Sequence, residues 1–176
     1  MKIEIISGTN LNLVPMEQKI YPFLKNWLYD PDISKFLDDS ECNLDLVQLE
    51  EVYPINENSI LFSIITKKLS ELIGICGLQR IDQKEKNAFL RIIIGNKAFW
   101  DGKTALESEK LLINFGFNTL KLDYIYSIIN PQNIGQIMLV ERLGMKKDSI
   151  LTNYFMKNKK SIDAYKYKIF ADEFKI

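Results

Sequence analysis

The chain has 176 residues, of which 47% are hydrophobic, 26% charged and 11% aromatic, with 23 basic and 23 acidic side chains and no formal net charge. That length suits one domain with a sizeable core, and the composition excludes a disordered tail, a collagen-like fibre and a low-complexity scaffold. Balanced charge argues against a general nucleic-acid binder, and the absence of histidine removes Ser-His-Asp and Cys-His catalysis and imidazole metal sites.

In chain order, residues 17–29 read as a helix, with Ile20, Phe23, Leu24, Trp27 and Leu28 on one apolar stripe. Pro31 then forces a turn after Tyr29-Asp30. A short helix over 44–52 follows, with Asn43 as its N-cap. Leu61–Thr66 and Leu72–Leu78 read as hairpin strands joined by 66–71. Asp82–Asn87 is a polar turn, and Phe89–Ile94 a third strand whose isoleucine run implies burial on both faces. A helix runs from about Thr104 to Asn118, with Ala105, Leu112, Ile113 and Phe117 among its apolar positions. Tyr124–Ile129 is a strand, parallel to Phe89–Ile94 if the helix crosses between them. The helix Asn133–Leu143 places Ile134, Ile137, Met138 and Glu141 on one stripe and ends at Gly144. Ile150–Phe155 and Tyr165–Phe170 close the chain as strands. The prediction is a mixed α/β layer with a partly antiparallel sheet.

No apolar run reaches the ~18 residues of a membrane span, and the start lacks a signal-peptide stretch. Cys42 and Cys76 match no zinc spacing and read as small buried or half-buried thiols. The expected setting is soluble, reducing and cytoplasmic, with no membrane, nucleic-acid or metal partner. Lys157-Asn158-Lys159-Lys160 reads as a solvated hairpin tip, and Asp38-Asp39-Ser40-Glu41 as a solvated loop. The first could instead meet an acidic acceptor, the second a cationic amine.

The chemistry concentrates between residues 88 and 146. A buried strand leads into Trp100-Asp101-Gly102-Lys103-Thr104-Ala105, which opens a helix. Free backbone N–H groups and the positive helix end suit phosphate oxygens there; an ordinary strand-to-helix turn reads the same way locally.

Four pieces in order resemble the GNAT acetyltransferase superfamily, and within it the ribosomal-protein N-terminal acetyltransferases. They are LKNWLYDPDISKFL near the start, FLRIIIGNKAFW, DGKTALES and NPQNIGQIMLVERLGM. The resemblance covers roughly residues 8–170. It implies that residues 1–176 form a single GNAT-like domain, with a central, mixed but mostly antiparallel sheet of about seven strands flanked by about four helices. It further implies an acetyl-CoA-dependent N-acetyltransferase acting by direct attack of an amine, with no covalent acyl-enzyme. The acceptor would be a small molecule such as an amino sugar, or a protein N-terminus, and the enzyme a monomer or homodimer.

Position by position, the resemblance puts Ile92, Ile93 and Ile94 against the pantetheine arm of coenzyme A. A backbone amide there would polarise the thioester carbonyl. It puts Trp100, Asp101, Gly102, Lys103, Thr104 and Ala105 on the pyrophosphate. Asn133 falls near the departing sulfur, although a helix cap explains it equally. Lys103 stands where the family carries glycine, Phe89 where it carries a glutamate base, and Val140 where it carries a tyrosine acid. The groups left to handle a proton are Asp82, Glu57, Tyr124 and Tyr126. These departures motivate an alternative, a catalytically degenerate protein of the same fold that binds acyl-CoA.

Overall fold

The computed structural model describes residues 3–175. One eight-stranded sheet runs through it in the order β1-β2-β3-β4-β5-β6-β8-β7. The strands are β1 (Ile6–Ser7), β2 (Leu11–Pro15), β3 (Ile60–Thr66), β4 (Leu72–Asp82), β5 (Asn87–Ile94), β6 (Tyr124–Ile129), β7 (Lys146–Lys157) and β8 (Lys160–Phe170). The helices are α1 (Tyr21–Tyr29), α2 (Pro31–Ser34), α3 (Leu46–Val52), α4 (Lys103–Asn118) and α5 (Ile134–Arg142). Every pairing is antiparallel except β5 with β6, which the α4 crossover makes parallel as its length and direction require. The mixed α/β architecture is therefore the expected one, with eight strands in place of about seven and five helices in place of about four. The added strand comes from residues 6–15, which fold back on themselves as a hairpin.

Two apolar cores sandwich the sheet. On one face α4 and α5 bury Leu112, Ile113, Leu139 and Val140 against Ile73, Leu78, Leu90 and Ile125. On the other, α1 and α3 bury Leu24, Leu28 and Leu49 against Leu61, Ile75 and Ile93. Strand β5 is thus covered on both sides, as its isoleucine run predicts.

Helix assignments hold better than helix faces. In α1, Phe23 is exposed, and Tyr21 takes the inward place because its hydroxyl donates to the buried Tyr53 carbonyl at 2.7 Å. The cap of α3 is Asp45, whose carboxylate closes a capping box with Gln48; Asn43 instead sits outside the helix at φ 57°. In α5 the predicted stripe meets the core only through Ile137, which packs against it: Ile134 and Met138 are exposed, while Leu139, Val140 and Leu143 enter the core. A nine-residue helix carries two apolar rows of the right spacing, and only the packing partner selects between them.

Candidate active site

Strands β5 and β6 pair only from Asn87–Tyr124 to Phe89–Tyr126, then separate. Beyond that point they open a wedge, held at its apex by a long contact from Ser127 Oγ to the Leu90 carbonyl, 3.5 Å. The Gly95 N–H is bonded to Ile73 on β4. By strand alternation Ile93 and Arg91 also turn their backbone toward β4, leaving that of Ile92 and Ile94 directed at the wedge. A cleft of about 600 Å3 occupies the opening. Its walls are Leu90–Ile94, Ser127–Asn130, Asn133 with the α5 residues Ile134–Gln136 and Leu139, the start of α4, residues 32–33 and 35–37, and Tyr154 and Phe155 of β7.

One end of the cleft is the turn into α4. Gly102 is left-handed at φ 71°, and a Cβ placed there would meet nothing within 4 Å. The backbone is therefore approachable from outside, and the conformation suits glycine. Asp101 plays an unforeseen part: its carboxylate accepts from the N–H groups of Lys103 and Thr104, each at 3.0 Å. The Thr104 N–H foremost holds this carboxyl below the ordinary range. Two of the helix's open donors are thereby taken by the chain itself, which leaves Gly102, Ala105 and the exposed Lys103 ammonium facing outward. Trp100 folds back and donates from Nε1 to the Ile94 carbonyl at 2.9 Å, closing one acceptor of the wedge.

Asn133 caps α5: its side-chain oxygen accepts from the Gln136 N–H at 3.2 Å, while the residue lines the cleft. The other predicted chemical groups separate. Asp82 is exposed and accepts from the N–H groups of Lys84 and Glu85, so it builds the turn between β4 and β5. Glu57 is exposed in the turn before β3. Neither lies on the cleft. Tyr124 and Tyr126 form an aromatic row with Phe89 and Phe170. Burial raises the Tyr126 hydroxyl above its usual range, against the opposing pull of Arg80. Val140 is fully buried in the core and presents nothing to the cleft.

The strongest electrostatic feature of the cleft escaped the sequence reading. Arg91 pairs with Glu41 and donates to the Tyr53 hydroxyl at 3.2 Å, with its guanidinium stacked 5.1 Å from the Tyr53 and Phe89 rings. Burial disfavours its charge, but Tyr53 and Glu41 outweigh that and raise its pKa. Fifty positions separate Arg91 from Glu41, so no local pattern could announce the pair. The two charged segments read as solvated also meet: Asp38 accepts from the Met156 N–H at 2.6 Å, Asp39 from Asn158 at 2.7 Å, and Lys157 donates to the Ser34 carbonyl at 3.0 Å. The β7–β8 tip is thus fastened over the 38–42 loop, beside the cleft.

Residues 10–146 match the family model described as acetyltransferase (GNAT) domain. The chain belongs to the GNAT acetyltransferase family. Members transfer an acetyl group from acetyl-CoA, so coenzyme A is the cofactor to be fitted to the wedge. An N-acetyltransferase of Bacillus licheniformis, p20, itself uncharacterised, is 28% identical over 98% of this chain and 99% of its own length. Among solved structures, spermidine N-acetyltransferase from Vibrio cholerae, in complex with CoA and spermine, superposes with a TM-score of 0.83 at 21% identity, over 93% of this chain and 97% of that one. A GNAT-family acetyltransferase from Bacillus anthracis gives 0.81 at 19% identity, over 96% and 99%. The β5 edge at Ile92, which pairs with no strand on that side, and the uncovered Gly102 turn fit such a cofactor, since both leave backbone approachable from the cleft.

Proposed function

We propose that residues 1–176 act as a single catalytic domain that acetylates a primary amine by direct attack, the acceptor being a small-molecule amine or a protein N-terminus. The observation that carries this is the β5–β6 wedge, where a backbone edge and a glycine turn face one cleft. When bound, acetyl-CoA supplies the acetyl group as a thioester. Ile92, with its free backbone, and Ile94, whose carbonyl is held by Trp100, would line the pantetheine arm, Ile93 would support the strand from the second core, and the Ile92 N–H would stabilise charge on the thioester carbonyl oxygen. The pyrophosphate is held by Gly102, Ala105 and Lys103, with Asp101 and Thr104 shaping the turn and Trp100 its wall. Asn133 keeps α5 in place at the cleft. The nearer kinship with ribosomal-protein N-terminal acetyltransferases rests on the quoted motifs, and the spermidine enzymes among the structural relatives add polyamines to the acceptor classes to be tested.

No carboxylate free of a partner lines the cleft among the described residues: Glu41 is held by Arg91, and Asp32 by Lys97. The amine therefore arrives neutral and loses its second proton to water, which makes the rate rise with pH as free amine accumulates. Neither thiol is suited to an acyl-enzyme: Cys76 is fully buried, its pKa driven up by burial, and burial also raises that of Cys42. A reducing, cytoplasmic setting fits two unpaired cysteines. The test is calorimetric titration with coenzyme A, followed by thiol release from acetyl-CoA against a panel of amines. Turnover that survives Cys42→Ala/Cys76→Ala supports direct attack; an acetyl group trapped on either cysteine overturns it. Tight binding without transfer to any amine would assign the chain to the degenerate, acyl-CoA-binding alternative.

A further inference from the structure

The two ends of the cleft present different groups. Beside the α4 end, Lys97 is bracketed by Asp30 and Asp32, and the exposed Lys103 ammonium stands at the turn. The other end lies beside the start of β5, where Gln79 pairs with Phe89. There the chain places Arg80, which lines the cleft with its guanidinium 5.3 Å from the Phe89 ring and one nitrogen 3.3 Å from the Tyr154 hydroxyl. Among the described residues it has no carboxylate partner. The neighbouring Arg91 is already neutralised by Glu41. This end of the cleft is left with one uncompensated guanidinium and no free acid.

The backbone is bent to bring this about. Gln79 pairs with Phe89 and Asp82 with Asn87, so Arg80 and Ile81 together oppose Ala88. That is a β-bulge, and Arg80 stands in it at φ 52°. In a regular strand Arg80 would share the face of Leu78, the buried core face. The bulge gives that place to Ile81, which is buried there, and turns Arg80 to the opposite face beside Phe89. A left-handed arginine is an unfavourable conformation, retained at a position whose side chain satisfies no structural ion pair.

We propose that the acceptor amine carries an anionic group, a carboxylate or a phosphate, which Arg80 binds at the end of the cleft away from the α4 turn. A planar guanidinium donates two parallel hydrogen bonds to either oxyanion, and the Phe89 and Tyr154 contacts hold its plane in advance. A polycationic acceptor would meet repulsion there, with no free carboxylate to offset it. The inference rests on the acetyl-transfer reading, and the test separates the two.

Wild type, Arg80→Gln and Arg80→Lys are assayed with acetyl-CoA against matched acceptors: glucosamine 6-phosphate against glucosamine, Ala-Asp dipeptide amide against Ala-Asn dipeptide amide, and spermidine. Coenzyme A affinity is titrated for each protein. The expected result is a kcat/KM about tenfold higher for the anionic member of at least one pair. Which pair shows it distinguishes phosphate from carboxylate. The gap should close in Arg80→Gln and partly return in Arg80→Lys, with coenzyme A affinity unchanged in all three. Should Arg80→Gln fail to fold, inorganic phosphate inhibiting wild type competitively with the preferred acceptor, and not with acetyl-CoA, supports the same site; absence of such competition counts against it. Equal use of both members of each pair, preference for spermidine, a gap that survives in Arg80→Gln, or loss of coenzyme A affinity in that variant overturns the inference. Coenzyme A binding without transfer to any probe overturns both the inference and the acetyl-transfer reading beneath it. Failure of wild type to bind coenzyme A would instead overturn the acetyl-transfer reading beneath it.

Discussion

Glu109 is a carboxylic acid held far from its ordinary titration range. It lies fully buried in α4, with Oε1 accepting from Gln136 at 2.7 Å and Oε2 without a partner. Burial pushes its pKa from the ordinary 4.5 up to about 8. The folded protein therefore keeps a proton that the unfolded chain has released, throughout the interval between those values. Stability must fall as pH rises through that window, by up to about 1.4 kcal/mol per pH unit, and level off above it. Glu109→Gln should remove this slope and make the protein more stable than wild type at pH 8. Denaturant unfolding from pH 5 to 9 checks it, and parallel curves for the two proteins would rule the protonated carboxyl out. Gly102 supports a different kind of residue-scale expectation. Its φ of 71° costs a β-branched side chain about 1–2 kcal/mol, and a Cβ there enters the open approach to the backbone. Gly102→Val should bind coenzyme A at least tenfold more weakly, with Gly102→Ala between it and wild type. Unchanged titration curves from folded variants would move the pyrophosphate elsewhere.

Among the elements, the β7–β8 hairpin decides how the cleft is closed beside residues 38–42. Its tip is held by backbone N–H groups donated to Asp38 and Asp39 and by Lys157, whose side chain is only 17% exposed. Sequence shows two oppositely charged runs more than a hundred positions apart; that they meet follows from the sheet order, which puts β7 at an edge beside β8. Asp38→Asn combined with Lys157→Ala should loosen this edge of the cleft. The acceptor KM should rise several-fold while the coenzyme A dissociation constant holds, because the α4 turn is untouched. Steady-state kinetics at saturating acetyl-CoA measure the first and titration the second; a parallel change in both would show that the hairpin supports the whole fold. Local signals were sufficient for the existence of α1, α4, β3 and β5, since each has a period or run that one structure satisfies. They were insufficient for the inward face of α5, where Ile134 and Met138 compete with Leu139 and Leu143 at the same spacing of four.

At the scale of the molecule, the helical layer over the second core is joined to the sheet by Arg91, Glu41 and Tyr53, contributed by β5, the loop before α3, and the end of α3. Removing one member leaves a buried charge without its partner, which costs about 3–5 kcal/mol. Glu41→Ala should destabilise by about that amount, and Arg91→Leu in the same background should recover much of it, as read by thermal unfolding. An additive double variant would show that the pair is not coupled. The sequence by itself determined the family through four ordered motifs, the mixed α/β class through its alternation of periods, and the wedge strand through an isoleucine run that demands cover on both faces. The turn into α4 was equally legible, because Gly102 and the helix start adjoin it in the chain. Only the tertiary structure decided that Asp82 and Glu57 stand outside the cleft and that Arg80 and Arg91 line it. Those facts depend on a bulge in β4, on strand order and on partners fifty and seventy-four positions away. Residue type and spacing fix which groups a chain owns; which of them share a cleft is set by how the strands stack and where they part.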